Sequence, residues 1–193
     1  MSRRRPLFRD MLAVGDLRSD GLAAEVASLV LARPQLLVDL LEVLSDANPA
    51  ARGHAADALG RVSRERPDQV EKHLSQLLLI AGADEVAMVR WHLAMIFANV
   101  TRSAATARRT TPALLAALDD PSAFVRAWAV SGLCQVGRKF AGCAAEILAA
   151  LRPLQGDRSI AVRHRVATAI RLLIDPNRPM PASWVKGTSS KRG

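Results

Sequence analysis

Four arginines recur at nearly equal intervals along the chain: Arg52, Arg90, Arg126 and Arg163, spaced by 38, 36 and 37 residues. Each follows an aspartate by six positions, the four being Asp46, Asp84, Asp120 and Asp157. A guanidinium is a permanently charged fork that grips a carboxylate or a phosphate through two parallel hydrogen bonds. The pattern therefore admits two chemistries, an internal ion-pair ladder or a row of contacts to an anionic ligand. A second group is His54 with Asp57, three residues apart, and His92 one period later. Two imidazoles and a carboxylate are donor types of a metal site. Equivalent positions on adjacent packed helices stand about 10 Å apart, too far for shared ligation, so neither metal nor cofactor is expected. Neither G-x-S-x-G nor G-x-x-x-x-G-K-[ST] occurs, and no catalytic residue is assigned. Cys134 and Cys143 match no C-x-x-C spacing and read as reduced thiols.

The elements that must carry these residues follow from the apolar periodicity. Apolar residues stand three and seven positions after each arginine, as Ala55 and Leu59, Leu93 and Phe97, Ala129 and Leu133, Val166 and Ile170. With the residue before the arginine they make one face of an α-helix. Upstream lies another apolar run in each copy, at 40–44, 77–81, 114–118 and 147–151. Each repeat is thus a helix, a tight turn led by the aspartate, and a second helix. Pro34, Pro67 and Pro112 are expected near the starts of first helices, with Thr111 capping before Pro112. In the fourth copy Pro153 and Gly156 should stop the first helix early. Residues 20–32 read as an amphipathic helix without the Asp–Arg signature, a cap for the stack.

Alanine and leucine supply 60 of the 193 residues, aromatics only 4%, and tyrosine is absent. That composition favours helices in close contact over a sheet. No apolar run reaches 18 residues and no secretory h-region follows Arg3-Arg4-Arg5, so a cytoplasmic protein without membrane association is expected.

A 36–38-residue two-helix repeat without the tetratricopeptide Trp/Tyr pattern or the ankyrin Thr-Pro-Leu-His leaves a third family. The Asp turn, Val-Arg at 89–90, 125–126 and 162–163, and the Ala and Leu positions after them resemble the bacterial HEAT-repeat family, including HEAT-like repeats of phycobilin-lyase type. The resemblance covers about residues 35–174. It implies an all-α, right-handed α-solenoid of about four HEAT-like (armadillo-like) helical hairpins. The expected division is a basic N-terminal segment 1–19, a cap at 20–34, repeats at about 35–66, 67–102, 103–139 and 140–175, and a basic, proline-containing tail 176–193, extended or disordered. It also implies that turn aspartates pair with neighbouring arginines, making Asp46, Arg52, Asp84, Arg90, Asp120, Arg126, Asp157 and Arg163 a structural ladder, with ligand contact as the other reading.

In that family the second helices line the concave side, which is where a partner would bind. Positions two, five and nine after each arginine share one helical face. They read His54, Asp57, Arg61; His92, Met95, Asn99; Trp128, Ser131, Gln135; and Arg165, Thr168, Leu172, with Trp91 and Arg171 alongside. Trp and Arg are common anchors of binding surfaces; Trp91 and Trp128 equally suit gap-filling between helices. The expected function is a non-catalytic scaffold or adaptor for a protein partner. The alternative is nucleic-acid binding, as in the HEAT-like DNA alkylation-repair glycosylases. The charge bears on this. Residues 1–97 carry 12 basic and 13 acidic side chains, residues 98–193 carry 15 and 5, so the whole surplus of +9 belongs to the second half. Arg102, Arg108, Arg109, Arg138, Lys139, Arg152 and Arg158 are the candidates for phosphate contact. The glycosylase pattern of Trp followed one turn later by Asp is missing, because Met95 stands four after Trp91.

Overall fold

The computed structural model describes residues 7–175 and 177–184. Eleven α-helices lie among them, and no strand occurs among the described residues. They are α1 (Leu7–Leu12), α2 (Ala23–Ala32), α3 (Leu37–Val43), α4 (Pro49–Glu65), α5 (Pro67–Glu71), α6 (Leu74–Ala83), α7 (Ala87–Val100), α8 (Ala104–Ala116), α9 (Ala123–Lys139), α10 (Ala141–Leu151) and α11 (Ile160–Ile174). No helix among the described residues is long and apolar enough to cross a membrane. Contacts divide the chain into two compact units, Met1–Ile96 and Phe97–Gly193.

In the first unit the 17-residue helix α4 is the organiser, with α1, α2 and α3 packed on it. Ala51, Ala55, Ala56, Ala58, Leu59 and Val62 of α4 are all buried. Small residues let backbones approach closely: a Cβ on Gly53 would stand 2.8 Å from Leu17 Cδ2. In the second unit α9 plays the same part, packed by α8, α10 and α11. Val125, Ala129, Val130, Leu133 and Val136 are sealed inside. Each large side chain so buried contributes roughly 2 kcal/mol of transfer free energy.

The turn before each second helix has one design. The side chains of Asp46, Asp84, Asp120 and Asp157 accept the backbone N–H two residues on, at 2.8, 2.7, 2.8 and 2.7 Å. These are Asx turns, which fix the reversal two residues before the helix cap. At α4 the cap itself is Asn48, which accepts from the N–H groups of Ala50 and Ala51. The aspartates thus set the turn rather than cap the helix.

Three expectations need correction. Helix α8 begins at Ala104, where Ser103 accepts the N–H of Thr106, and Pro112 lies inside the helix rather than at its start. Thr111 lies inside the helix and its buried hydroxyl has no partner among the described residues. The N-terminal segment, expected only as a basic stretch, carries a helix: α1 buries Phe8 and Leu12. Lastly, residues 177–184 of the expected disordered tail are ordered against the second unit, with a 3-10 turn at Ala182–Trp184 and Trp184 buried. Arg3, Arg4, Arg5, Lys186, Lys191 and Arg192 lie outside the described residues.

Candidate functional site

The ladder positions show a repeated geometry within each unit. Arg52 Nη1 donates to the carbonyl of Asp46 at 2.9 Å, while its Nε and Nη2 fork onto the Asp84 carboxylate at 2.8 and 3.3 Å. In the second unit Arg126 Nη1 donates to the Asp120 carbonyl at 2.7 Å, and Nε and Nη2 each reach Asp157 at 2.8 Å. Arg90 and Arg163 make the same backward bond, to the carbonyls of Asp84 and Asp157. One guanidinium therefore ties its own turn to the next. The hydrogen bond from Arg126, together with the Ser159 N–H, outweighs burial and holds the Asp157 carboxyl below the usual carboxylate range. Arg9 of α1 was not foreseen; it bonds Asp46 and closes the front of the array. Hydrogen bonding to the Asn48 N–H, against some desolvation, likewise holds Asp46 low.

On the second-helix face of the first unit the expected binding residues are covered. His54 is fully buried. Its Nδ1 stands 2.8 Å from the Leu12 carbonyl, and its Nε2 stands 3.1 and 3.0 Å from those of Asp16 and Ser19. Both ring nitrogens thus face backbone carbonyls. The loop that wraps the ring needs glycine: Gly21 has φ +50°, and a Cβ there would lie 2.8 Å from His54 Nδ1. His54 thus fastens the N-terminal segment and does not present itself to a partner.

Asp57 and His92 are also buried. Arg61 donates to Asp57 twice, at 3.1 and 3.1 Å, and reaches Asp20 at 3.3 Å. His92 Nδ1 bonds the Met88 carbonyl at 2.8 Å, and its Nε2 accepts the Trp91 indole N–H at 3.2 Å and lies 3.5 Å from Asp57. Burial pushes the Asp57 carboxyl up, but the His92 ring beside it and the Arg61 guanidinium outweigh that and hold the group below its ordinary value. These residues form a structural network, and no cluster of three or more metal-ligating side chains exists among the described residues. Trp91 keeps a half-exposed edge beside Arg52, Met88 and Leu17 in a 670 Å³ cleft.

The second unit keeps its face differently. Arg165 lies over Trp128, with its central carbon 4.2 Å from the ring centre, and 5.5 Å from the ring centre of Trp184. Its Nη1 donates to the Ser131 hydroxyl at 2.5 Å. Burial between the rings pulls the Arg165 pKa down, yet guanidinium remains charged at neutral pH. Gln135 Nε2 donates to the Trp184 carbonyl at 3.4 Å. Arg171 is exposed, bonded only weakly to Thr168 at 3.4 Å. It lines a 280 Å³ cleft with Thr168, Leu172, Arg178, Pro179 and Pro181. Asn99 is half-buried on α7.

The candidate phosphate-contacting cations are unevenly available. Arg102, Arg108, Arg109, Arg152 and Arg158 are exposed. Lys139 donates to the Thr101 carbonyl, and Arg158 to that of Pro121. Arg138 is half-buried, so it leaves the candidate set. Cys134 and Cys143 are free, and burial pushes the Cys134 thiol up to about 12, which removes it as a nucleophile.

Comparison with known proteins agrees with this architecture. The HEAT repeat family model matches residues 111–140, which run from within α8 through α9. A designed armadillo repeat protein, solved in complex with the peptide (KR)4, is similar over 84% of this chain and 71% of its own, with a TM-score of 0.57 at 20% identity. Computationally designed armadillo repeat proteins for modular peptide recognition align over the same shares, with a TM-score of 0.53 at 19% identity. The comparison with curated proteins found no match. The described residues are all-α and built of helical hairpins, in the fold of these armadillo repeat proteins, and one hairpin matches the HEAT repeat model.

Proposed function

We propose that this protein is a non-catalytic scaffold that holds a polypeptide partner on the second-helix face of α9 and α11, with Trp128, Gln135 and Arg165 as anchors. One observation carries the reading. That face already holds a stretch of polypeptide: residues 177–184 lie on it, gripped through a main-chain carbonyl by Gln135 and through an aromatic ring by Arg165. A side-chain amide on a backbone carbonyl is indifferent to sequence, and an Arg–Trp stack supplies a wide, flat contact. Both suit a surface that binds chain. A cleft bounded by Thr168, Arg171 and Pro179 lies along the same stretch of chain. The peptide held by the similar designed armadillo protein supports the same kind of use.

The experiment is partner capture with a photo-crosslinker at Thr168, in lysate of the source cells, with and without nuclease. Trp128→Ala with Arg165→Ala should reduce the protein crosslink at least tenfold while far-UV circular dichroism stays the same. Unchanged capture by the double variant would overturn the assignment. A complex that disappears with nuclease and weakens steeply with salt would instead favour phosphate-backbone binding by Arg102, Arg108, Arg152 and Arg158 in the basic half.

A further inference from the structure

The two stripes that α9 and α11 present to whatever follows them are equivalent, position for position, at a spacing of 37. On α9 the stripe is Arg126, Ala127, Val130, Cys134 and Gly137, and every one is buried, with Arg126 on Asp157, Cys134 on the Ala169 carbonyl and Gly137 against Leu173. The fit is close: a Cβ on Gly137 would meet Leu173 Cδ2 at 2.7 Å and Ile147 Cδ1 at 3.2 Å. On α11 the stripe is Arg163, His164, Ala167, Arg171 and Ile174, and none of the five is buried. Ile160 at its head and Ile174 at its foot are 64% and 70% exposed. A 320 Å³ cleft opens at the head of the stripe, lined by Gln155, Ile160, Arg163, His164 and Ala167.

Arg163 is set as its predecessors are. Its Nη1 bonds the Asp157 carbonyl at 2.6 Å, as Arg52 and Arg126 bond Asp46 and Asp120. In those two the remaining Nε and Nη2 take a carboxylate from the next turn. Arg163 makes no ion pair among the described residues, so the same two donors stand open in the geometry that elsewhere receives an aspartate. The backward bond holds the guanidinium in place, which removes part of the ordering cost of binding. The stripe also differs in character from that of α9. His164 and Arg171 replace Ala127 and Cys134, so the complementary surface is acidic as well as apolar.

We propose that the open face of α11 docks a helical hairpin of a partner protein, whose inter-helix turn presents an aspartate to the Arg163 fork and an apolar side chain between Ile160 and Ala167. The occupant is a different protein rather than a second copy of this chain. The corresponding front-rung carboxylate here, Asp46, is already held by Arg9 and is only 12% exposed. This surface shares only Arg171 with the groove of the proposed function, and the Arg163 cleft shares no residue with it, so either assignment can fail without the other.

Two experiments on the full chain decide it. In the first, an extra copy of residues 140–175 follows residue 175, supplying a test hairpin whose aspartate meets Arg163. The melting temperature should rise by several degrees, and the rise should vanish on Arg163→Ala or on changing the added turn aspartate to Asn. An unchanged melting temperature, or a rise indifferent to both changes, would sink the proposal. In the second, a photo-crosslinker at Gln155 in source-cell lysate should capture a peptide containing an aspartate-bearing turn between helices. Yield should fall at least tenfold in Arg163→Ala, recover only in part in Arg163→Lys, which lacks the fork, and persist in Trp128→Ala. Capture of a second copy, of the chain's own residues 185–193, of nucleic acid, or of nothing would each overturn it.

Discussion

The second helices α4 and α9 occupy the same place in their repeats, yet their faces are finished by opposite means. On α4 the position two after the ladder arginine is His54, and it closes the face by gripping three backbone carbonyls of the N-terminal segment. On α9 the same position is Trp128, left half-exposed beneath the stacked Arg165, with a short C-terminal turn resting beside it. The first closure is buried, polar and specific; the second is flat, aromatic and open at its edge. A buried polar clasp is destabilising to break, because its partners lose their bonds without gaining water. A stacked platform can exchange one stretch of chain for another at little cost. The contrast assigns stability to the first face and recognition to the second.

The largest test of this contrast is His54→Ala. Orphaning the Leu12, Asp16 and Ser19 carbonyls and opening a cavity should cost about 3 kcal/mol. Thermal denaturation should show it, with hydrogen exchange rising in residues 8–22; a loss near zero would break the comparison. Gly21→Ala comes next, at about 1–2 kcal/mol, because it forces a Cβ into a positive φ and against the imidazole. Trp184→Ala should cost roughly 1 kcal/mol or less, since it loosens only the C-terminal turn. A melting-temperature loss as large as that of His54→Ala would mean that the second face is closed structurally too.

The smallest expected effect is on pH dependence, and it probes the two units in parallel. Asp57 and Asp157 both have folded-state pKa values held below the ordinary range. A depressed carboxylate stabilises the fold above its unfolded value, about 3.9, and that stability is lost as pH falls through the folded value. Melting temperature should therefore decline as pH falls below about 4, and less steeply in Asp57→Asn and in Asp157→Asn than in the parent. Equal slopes in all three would show that neither carboxylate carries the acid sensitivity.

Much of the architecture was legible in residue spacing. The Asp-x5-Arg signature at 36–38-residue intervals located every second helix, because a helix pattern repeated in one register leaves few alternatives. Proline signals were less dependable: Pro112 lies within α8, where Ser103 starts the helix eight residues earlier than its ring suggested. The site was legible only in part. Trp128 and Arg165 could be named from helical phase, but their stacking on Trp184 could not, since 49 residues separate Gln135 from the carbonyl that it holds. The one available signal was a lone tryptophan three residues after Pro181 in an otherwise polar segment. Arg9 offered no comparable signal.

What the sequence determined by itself is the local order: where helices run, which face is apolar, and which turns carry an aspartate. Those properties depend on period and on neighbours within a few positions, and they survive any arrangement of the rest. Tertiary structure alone decided which polar residues are used up inside. His54, Asp57 and His92 look like a reactive group in a list of side chains and become a fastening when the N-terminal segment lies over them. Arg126 and Arg163 hold the same place in the repeat, six after the turn aspartate, yet one is sealed in a bidentate pair and the other stands open. The difference is not in either arginine; it depends on whether another turn packs next to it, and burial is a property of the neighbour as much as of the residue.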